Sequence, residues 1–268
     1  MTPQLGQVPT RPSRGGGQPP VLPRDLDIIV TIDGPAGTGK STVAALLAAR
    51  LGLDFLDTGA MYRAAAALVL DQGLALEAVG DIVKLVAEAD LHFDWTADPP
   101  AIMAWEKPIG ERIREADVTE IVSQIASYPD LRRGMVRKQR LIGRQHPRLV
   151  TEGRDQGSVV FPDALCKFYL DADPRVRAHR RAEQLAEAGR IVSEEEMLRQ
   201  IIQRDRLDSS REEGPLIRPP DAELVDTSDM TREDVIDHLF ESVMARVRSL
   251  TAQAPAPPRP SGARSDRV

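Results

Sequence analysis

The sequence predicts an α/β fold of three layers, a central parallel sheet with helices on both faces, and three observations carry that prediction. Residues 27–32 form a short β-branched apolar run, Asp-Ile-Ile-Val-Thr-Ile, which leads through a glycine-rich loop into the Ala/Leu-rich stretch 41–50. Runs of strand character alternate with longer helical stretches along most of the chain, and parallel strands require such crossovers. The chain has 268 residues, 41% of them hydrophobic, which suits one core with small appendages.

Each element follows from local chemistry. Residues 27–32 suit a buried strand, because β-branched side chains fit a pleated surface. Residues 41–50 suit a helix on propensity alone. A second short strand is expected at 54–56 and helices at 58–72 and 77–89. Residues 91–95 and 101–105 alternate apolar and polar, with Asp98-Pro99-Pro100 between them, and read as a hairpin. That hairpin interrupts the alternation and marks an inserted lobe over about 91–116. Helices are expected at 117–126 and 130–145, and strands at 148–152 and 166–170. Charged helices at 174–188 and 193–206, a last strand at 222–225 and a closing helix at 231–247 complete the series. The ends, 1–24 and 251–268, are rich in Pro, Gly and Ser. They carry too little apolar surface to order themselves and are expected to be disordered tails. The folded domain is therefore expected over 25–250.

Composition removes several function classes. A formal charge of -6 argues against a general basic surface for nucleic-acid polymers. Only five of the 35 basic residues are lysines, and arginine is the side chain that grips phosphate in bidentate fashion. Cys166 is alone, so no disulfide forms within the chain, which fits a reducing compartment. No apolar stretch is long enough to span a bilayer, and residues 1–24 lack the apolar segment of a signal peptide. A cytoplasmic location without membrane attachment is the expectation.

The loop itself carries chemistry. Gly34, Pro35, Ala36, Gly37, Thr38, Gly39, Lys40 and Ser41 complete the phosphate-loop pattern, with Thr42 following. Glycines let the backbone curl around an anion, and successive N–H groups point inward as a nest. Lys40 supplies a charge to the β- and γ-phosphates of a nucleotide, and the Ser41 hydroxyl suits Mg²⁺. Strand, loop and helix in that order place the phosphates at a helix N-terminus. The loop alone says only that a nucleoside triphosphate is bound, with Mg²⁺ on the Ser41 hydroxyl.

Four further segments address the acceptor: Asp57-Thr-Gly-Ala-Met-Tyr-Arg63, Ser123 through Arg132, Glu152-Gly-Arg-Asp-Gln-Gly-Ser158, and Arg204-Asp-Arg-Leu-Asp-Ser-Ser-Arg211. In this order, behind a phosphate loop, they resemble the bacterial cytidylate kinases over essentially residues 28–250. The resemblance implies the three-layer P-loop NTPase fold and a nucleoside monophosphate kinase that, with Mg²⁺ as cofactor and ATP as phosphoryl donor, passes the γ-phosphoryl to CMP or dCMP and acts as a monomer. It also implies an inserted CMP-binding lobe and a mobile lid within about 175–211. At matching positions it implies that Arg63 and Arg154 hold the acceptor phosphate, with Thr58 beside them. Ser123, Arg132 and Asp155 would read the cytosine edge, and Arg204, Asp208 and Arg211 would meet the sugar. Lys40, Arg154, Arg180 and Arg204 form the expected catalytic set. Which lid arginine meets the transferring group stays open between candidates. Glu152 stands where the family often has Asp, and is expected to reach Mg²⁺ through water. Ser158 stands where threonine is common and Thr58 where serine is common; both keep the hydroxyl.

The chemistry of the base supports the same residues. Cytosine offers an exocyclic amino donor and a carbonyl acceptor, so its reader needs an acceptor such as Asp155 and donors such as Ser123 or Arg132. Arg133, Arg137, Arg140 and Arg144 follow Arg132 at helical spacing and read as a solvated face, and Tyr62 reads as packing. A kinase for another small acceptor is the first rival, opposed by the base-reading set. A guanine switch is the second, opposed because the chain contains no asparagine with which to build an Asn-Lys-x-Asp motif. A scaffold that uses its tails is the third.

Overall fold

The computed structural model describes residues 20–187 and 189–253. The opening apolar run becomes β1 (Ile28–Asp33), and the Ala/Leu-rich stretch becomes α1 (Lys40–Leu51). Then follow β2 (Asp54–Asp57), α2 (Thr58–Asp71) and α3 (Val79–Glu88). Next come β3 (His92–Asp94), β4 (Ala101–Ala104), β5 (Lys107–Pro108), α4 (Ala116–Ile125) and α5 (Pro129–Gln145). The chain closes with β6 (Arg148–Gly153), β7 (Cys166–Asp171), α6 (Pro174–Glu187), α7 (Glu194–Ser209), β8 (Glu223–Asp226) and α8 (Arg232–Gln253).

The main sheet has the order β2-β6-β1-β7-β8, and every pairing in it is parallel. Val30, Ile32, Leu149, Val150 and Leu170 are buried, as expected for strands covered on both faces. One core packs α1 and α8 on the sheet through Leu47, Leu51, Leu239 and Val243. The other gathers α2, α3, α4 and α5 on the opposite side through Met61, Ile82, Ile125 and Met135. Helices α6 and α7 share a small core of their own, Ala178, Leu185, Met197 and Ile201. The register aligns the C-terminal ends of three neighbouring strands: Asp57 pairs with Glu152, and Asp33 with Gly153. This is the edge at which open α/β sheets bind ligands.

The small antiparallel sheet β3-β4-β5 occupies the expected hairpin, with one strand more. Lys107 pairs with Ala104 and extends it. Among the described residues no helix is long and apolar enough to cross a membrane.

Two boundaries differ from the sequence reading. Residues 1–19 and 254–268 of the expected tails lie outside the described residues, but residues 20–24 and 251–253 do not behave as tail. Leu22 is only 5% exposed and belongs to the core beneath α1 and α8. Arg148 at the start of β6 donates to the Pro23 carbonyl at 2.6 Å and to the Leu26 carbonyl at 3.2 Å. One apolar side chain and one guanidinium thus anchor a proline-rich segment that composition alone assigns to disorder. Helix α8 likewise continues through Gln253. Leu22→Ala is expected to cost about 2–4 kcal/mol of stability, the usual range for truncating a buried leucine. Urea denaturation measures this, and a loss below ~0.5 kcal/mol would show the segment is not docked.

Candidate active site

The loop between β1 and α1 is shaped by positive φ angles at Gly34, Gly37 and Gly39. Gly34 is the most constrained of these: a Cβ there would lie 2.0 Å from the Leu170 carbonyl oxygen. Gly39 precedes α1, whose N-terminus receives no side-chain cap, so its first-turn N–H groups and dipole remain available to an anion. Lys40 is buried, and its ammonium donates to the Pro35 carbonyl at 2.6 Å and to Thr38 Oγ1 at 3.3 Å. Burial, then the charges of Arg154 and Arg204, push the Lys40 amine down to about 7 against the pull of Glu152 and Asp33. Thr42 stands in the first turn of α1.

Ser41 Oγ donates to Glu152 Oε1 at 2.9 Å. Asp57, the register partner of Glu152, caps α2 by accepting from the Ala60 N–H. Burial, then the neighbouring Glu152 charge, lift the Asp57 carboxyl to about 7. Asp33 accepts from the Gln156 and Gly157 N–H groups at 2.8 and 2.7 Å, fixing the turn after β6. Burial raises it to about 7 as well. A hydroxyl and two crowded carboxylates form an oxygen set suited to a hard divalent cation. No group of three His, Cys, Asp or Glu among the described residues could hold a metal alone. The sequence reading singled out Ser41 and Glu152 but missed Asp33 and Asp57. The available signal was their position, since each directly follows a predicted strand.

On the other side of the strand ends, Arg132 and Asp155 form a buried ion pair at 2.5 Å, with side chains 3% and 4% exposed. Arg132 also donates to the Ala126 carbonyl at 3.0 Å and lies 5.1 Å over the Tyr62 ring. Gly214 passes directly above the pair: a Cβ there would lie 2.2 Å from Asp155 Oδ2 and 2.4 Å from an Arg132 nitrogen. Its φ of 59° is a second reason for glycine. Nothing in the local sequence around Gly214 identifies it as a site residue.

Arg154 Nε donates to Asp208 at 2.8 Å, and Arg211 pairs with the other oxygen of the same carboxylate. Burial opposes the charge on Asp208, but Arg154, Arg211 and Arg204 together hold its carboxyl below the usual range. Arg204 is surrounded by positive charge, and burial followed by Arg154 lowers it to about 10. The Nε atoms of Arg132, Arg204 and Arg211 are buried without hydrogen-bond partners. Such orphans are costly, and three of them in one arginine cluster mark a surface that suits an anionic, acceptor-rich ligand.

The remaining expected residues divide. Arg63 donates to Thr119 Oγ1 at 2.9 Å and to the Ile113 carbonyl at 3.3 Å. Its guanidinium is lowered by burial, opposed by Asp57, and further lowered by Arg181 and Arg154, so it belongs to the cluster. Thr58 is buried, and its hydroxyl donates to the Glu152 carbonyl at 2.7 Å, holding α2 to β6. Ser123 is half-buried on α4, three residues before the carbonyl that takes Arg132. Ser158 Oγ is buried without a partner. Arg180 does not join the cluster. It donates to the Thr227 carbonyl at 2.7 Å and the Ser228 carbonyl at 3.2 Å, tying α6 to the turn after β8. Its neighbour Arg181 is the α6 arginine whose charge is felt at Arg63. Adjacent helical positions point about 100° apart, and here it is Arg180 that is turned to the end of β8.

A family model described as cytidylate kinase matches residues 30–245. A cytidylate kinase from Caldanaerobacter subterraneus subsp. tengcongensis is 41% identical over 219 residues, covering 82% of this chain and 96% of that protein. One from Corynebacterium glutamicum is 42% identical, covering 81% and 95%. A bifunctional pantoate ligase/cytidylate kinase from a Synechococcus strain is 44% identical over 234 residues, 85% of this chain. The chain spans 43% of the length of that last relative.

Proposed function

Since the chain belongs to the cytidylate kinase family and is therefore a phosphotransferase, we propose that it transfers the γ-phosphoryl of ATP to CMP or dCMP. The products are ADP and CDP or dCDP, and the enzyme works as a cytoplasmic monomer on free nucleotides. The observation that carries this reading is the position of Arg154. Its charge acts on Lys40 in the phosphate loop, and its Nε holds Asp208 on the acceptor side. One guanidinium thus stands between two anion cradles.

The nucleophile is an oxygen of the acceptor's own phosphate, already ionised at neutral pH, so alignment and charge neutralisation carry the rate. The loop N–H groups and Lys40 hold the donor phosphates. Arg154 and Arg63 aim the acceptor phosphate along the line of displacement. Asp155 accepts from the cytosine amino group, while Arg132, held against Asp155, and Ser123 offer donors to the rest of its edge. Arg204, Asp208 and Arg211 face the sugar and its phosphate. Ser41, Glu152 and Asp57 would hold Mg²⁺, which would supply neutralising charge to the donor phosphates. Helices α6 and α7, with their separate small core, form a lid that brings Arg181 and Arg204 over the transferring group and excludes water.

A coupled assay of ADP formation over CMP, dCMP, UMP, AMP, shikimate and gluconate tests the reading. Turnover is expected with CMP and dCMP far above the rest. Turnover with a non-nucleotide acceptor, or none with CMP, would overturn it.

A proton balance follows from Lys40. With its amine near 7, most of it is neutral at about pH 8, and an adjoining triphosphate favours the ammonium form. ATP-analogue binding at that pH is expected to take up close to one proton. The uptake should fade below about pH 6, where the amine is already charged. Asp57, also near 7, is mostly ionised at about pH 8 and adds little there. Calorimetry in buffers of different ionisation enthalpy reads the uptake. Equal heats in all buffers at about pH 8 would contradict it.

A further inference from the structure

Asp205 lies between two residues assigned to the acceptor, Arg204 and Asp208, yet its carboxylate is turned to the donor loop. Oδ1 accepts from the Ala36 N–H at 3.2 Å, and Oδ2 accepts from Arg177 at 2.5 Å. Arg177 is buried and fixed three ways. Its Nε donates to the Ala172 carbonyl at 2.9 Å, its terminal nitrogen to the Ala36 carbonyl at 3.0 Å, and the same nitrogen to Asp205. Arg177, in the first turn of α6, thus ties that helix to the phosphate loop and the end of β7. Asp205 rides on α7, whose acceptor-side residues make no such bond to the loop.

We propose that Asp205 is a positioning residue that couples the two substrate sites, so that each substrate's binding removes the same contact and eases binding of the other. The two bonds of Asp205 are unequal. The one to Arg177 is short and charge-assisted, while the one to Ala36 is long for a carboxylate acceptor. The Ala36 bond is the one that yields. The phosphate loop offers its N–H groups to phosphate oxygens, and an incoming triphosphate competes with Asp205 for the Ala36 amide. Loss of that bond leaves Arg177 as the tie between Asp205 and the loop, and α7 can turn about that pair as the lid closes. From the other side, Asp208 lies one helical turn from Asp205 and is held by both Arg154 and Arg211. An acceptor that draws on those arginines turns α7 about the Arg177 pair as the lid closes, and takes the Asp205 carboxylate off the Ala36 amide. Whichever substrate binds first bears the cost of breaking the contact, and the second is spared it. Linkage makes the benefit reciprocal.

This inference rests on the reading of phosphoryl transfer to CMP, and the test separates the two. Binding of a nonhydrolysable ATP analogue with Mg²⁺ is measured by calorimetry on the full chain, with and without saturating CMP. The wild type, Asp205→Ala and Asp205→Asn are compared, with thermal melts to verify folding. In the wild type CMP is expected to tighten the analogue about five- to tenfold, the scale of one ordinary hydrogen bond. In Asp205→Ala the ratio should fall to within about twofold of unity, and the analogue alone should bind at least as tightly as to the wild type. Asp205→Asn keeps the shape without the charge and should fall at least halfway; it decides the matter should the alanine variant fail to fold. An undiminished ratio in the folded variants, or no coupling in a wild type that binds both ligands, would overturn the assignment of Asp205. Failure of the wild type to bind CMP at all would overturn the function reading, and this one with it.

Discussion

Lys40→Ala is expected to lower kcat by roughly 10²–10³-fold or more, the usual effect of removing one preorganised charge from a transition state, and to leave the fold intact. The second half of that expectation comes from burial. Lys40 is 4% exposed and sits among Arg154 and Arg204, so holding its ammonium there costs folding free energy. Its amine falls from 10.5 in the open chain to about 7 in the fold. Between those values the unfolded chain binds more protons, so this residue's contribution to stability rises with pH across the window; below about 7 its cost is felt in full. The alanine variant lacks that cost. At neutral pH it should melt at or above the wild-type temperature, and the gap should narrow toward about pH 10. Steady-state kinetics and melting curves over that range check both halves. Near-normal turnover would remove Lys40 from the chemistry, and a collapsed fold would make it structural.

The second large effect is expected at Asp155. Asp155→Ala should cut kcat/KM for CMP by roughly 10²–10³-fold while changing that for UMP far less, because uracil presents a carbonyl where cytosine presents an amino group. Stability should fall as well. Arg132 would be left buried with one fewer partner, and breaking a buried ion pair costs about 3–5 kcal/mol. Asp155→Asn separates the effects. It fills the same space beneath Gly214, where the backbone leaves no room for a larger group, and keeps an oxygen toward Arg132. It should therefore recover much of the stability and little of the discrimination. An unaltered CMP-to-UMP ratio in either variant would show that Asp155 does not read the base.

What could be read from the sequence was whatever is encoded within a few residues. The loop from Gly34 to Ser41 needs its glycines, lysine and serine in one short run, flanked by a strand and a helix, and all of that is local. The alternation of strands and helices is local too, and it suffices for a parallel sheet. Features that depend on distant pairing were not legible. Asp57 reads only as the first residue of an acceptor segment until the register sets it beside Glu152. Gly214 reads as loop until the chain folds over Arg132 and Asp155. Leu22 is one apolar residue in a proline-rich stretch, and only tertiary packing makes it core. Arg180 and Arg181 show the limit of composition on a charged helix. Both are arginines at neighbouring positions, and the choice between them depends on the rotation of α6 about its axis, which follows from how Ala178 and Leu185 pack.

The docking of Leu22 has a practical corollary. Pro23 and Leu26 are tied to Arg148, the first residue of β6, whereas Lys40, Glu152 and Asp155 gather past the far ends of the strands. The chain therefore enters the domain at the pole opposite its chemistry. A fluorophore attached at the exposed Val21 would sit on that underside and leave the route for nucleotides clear.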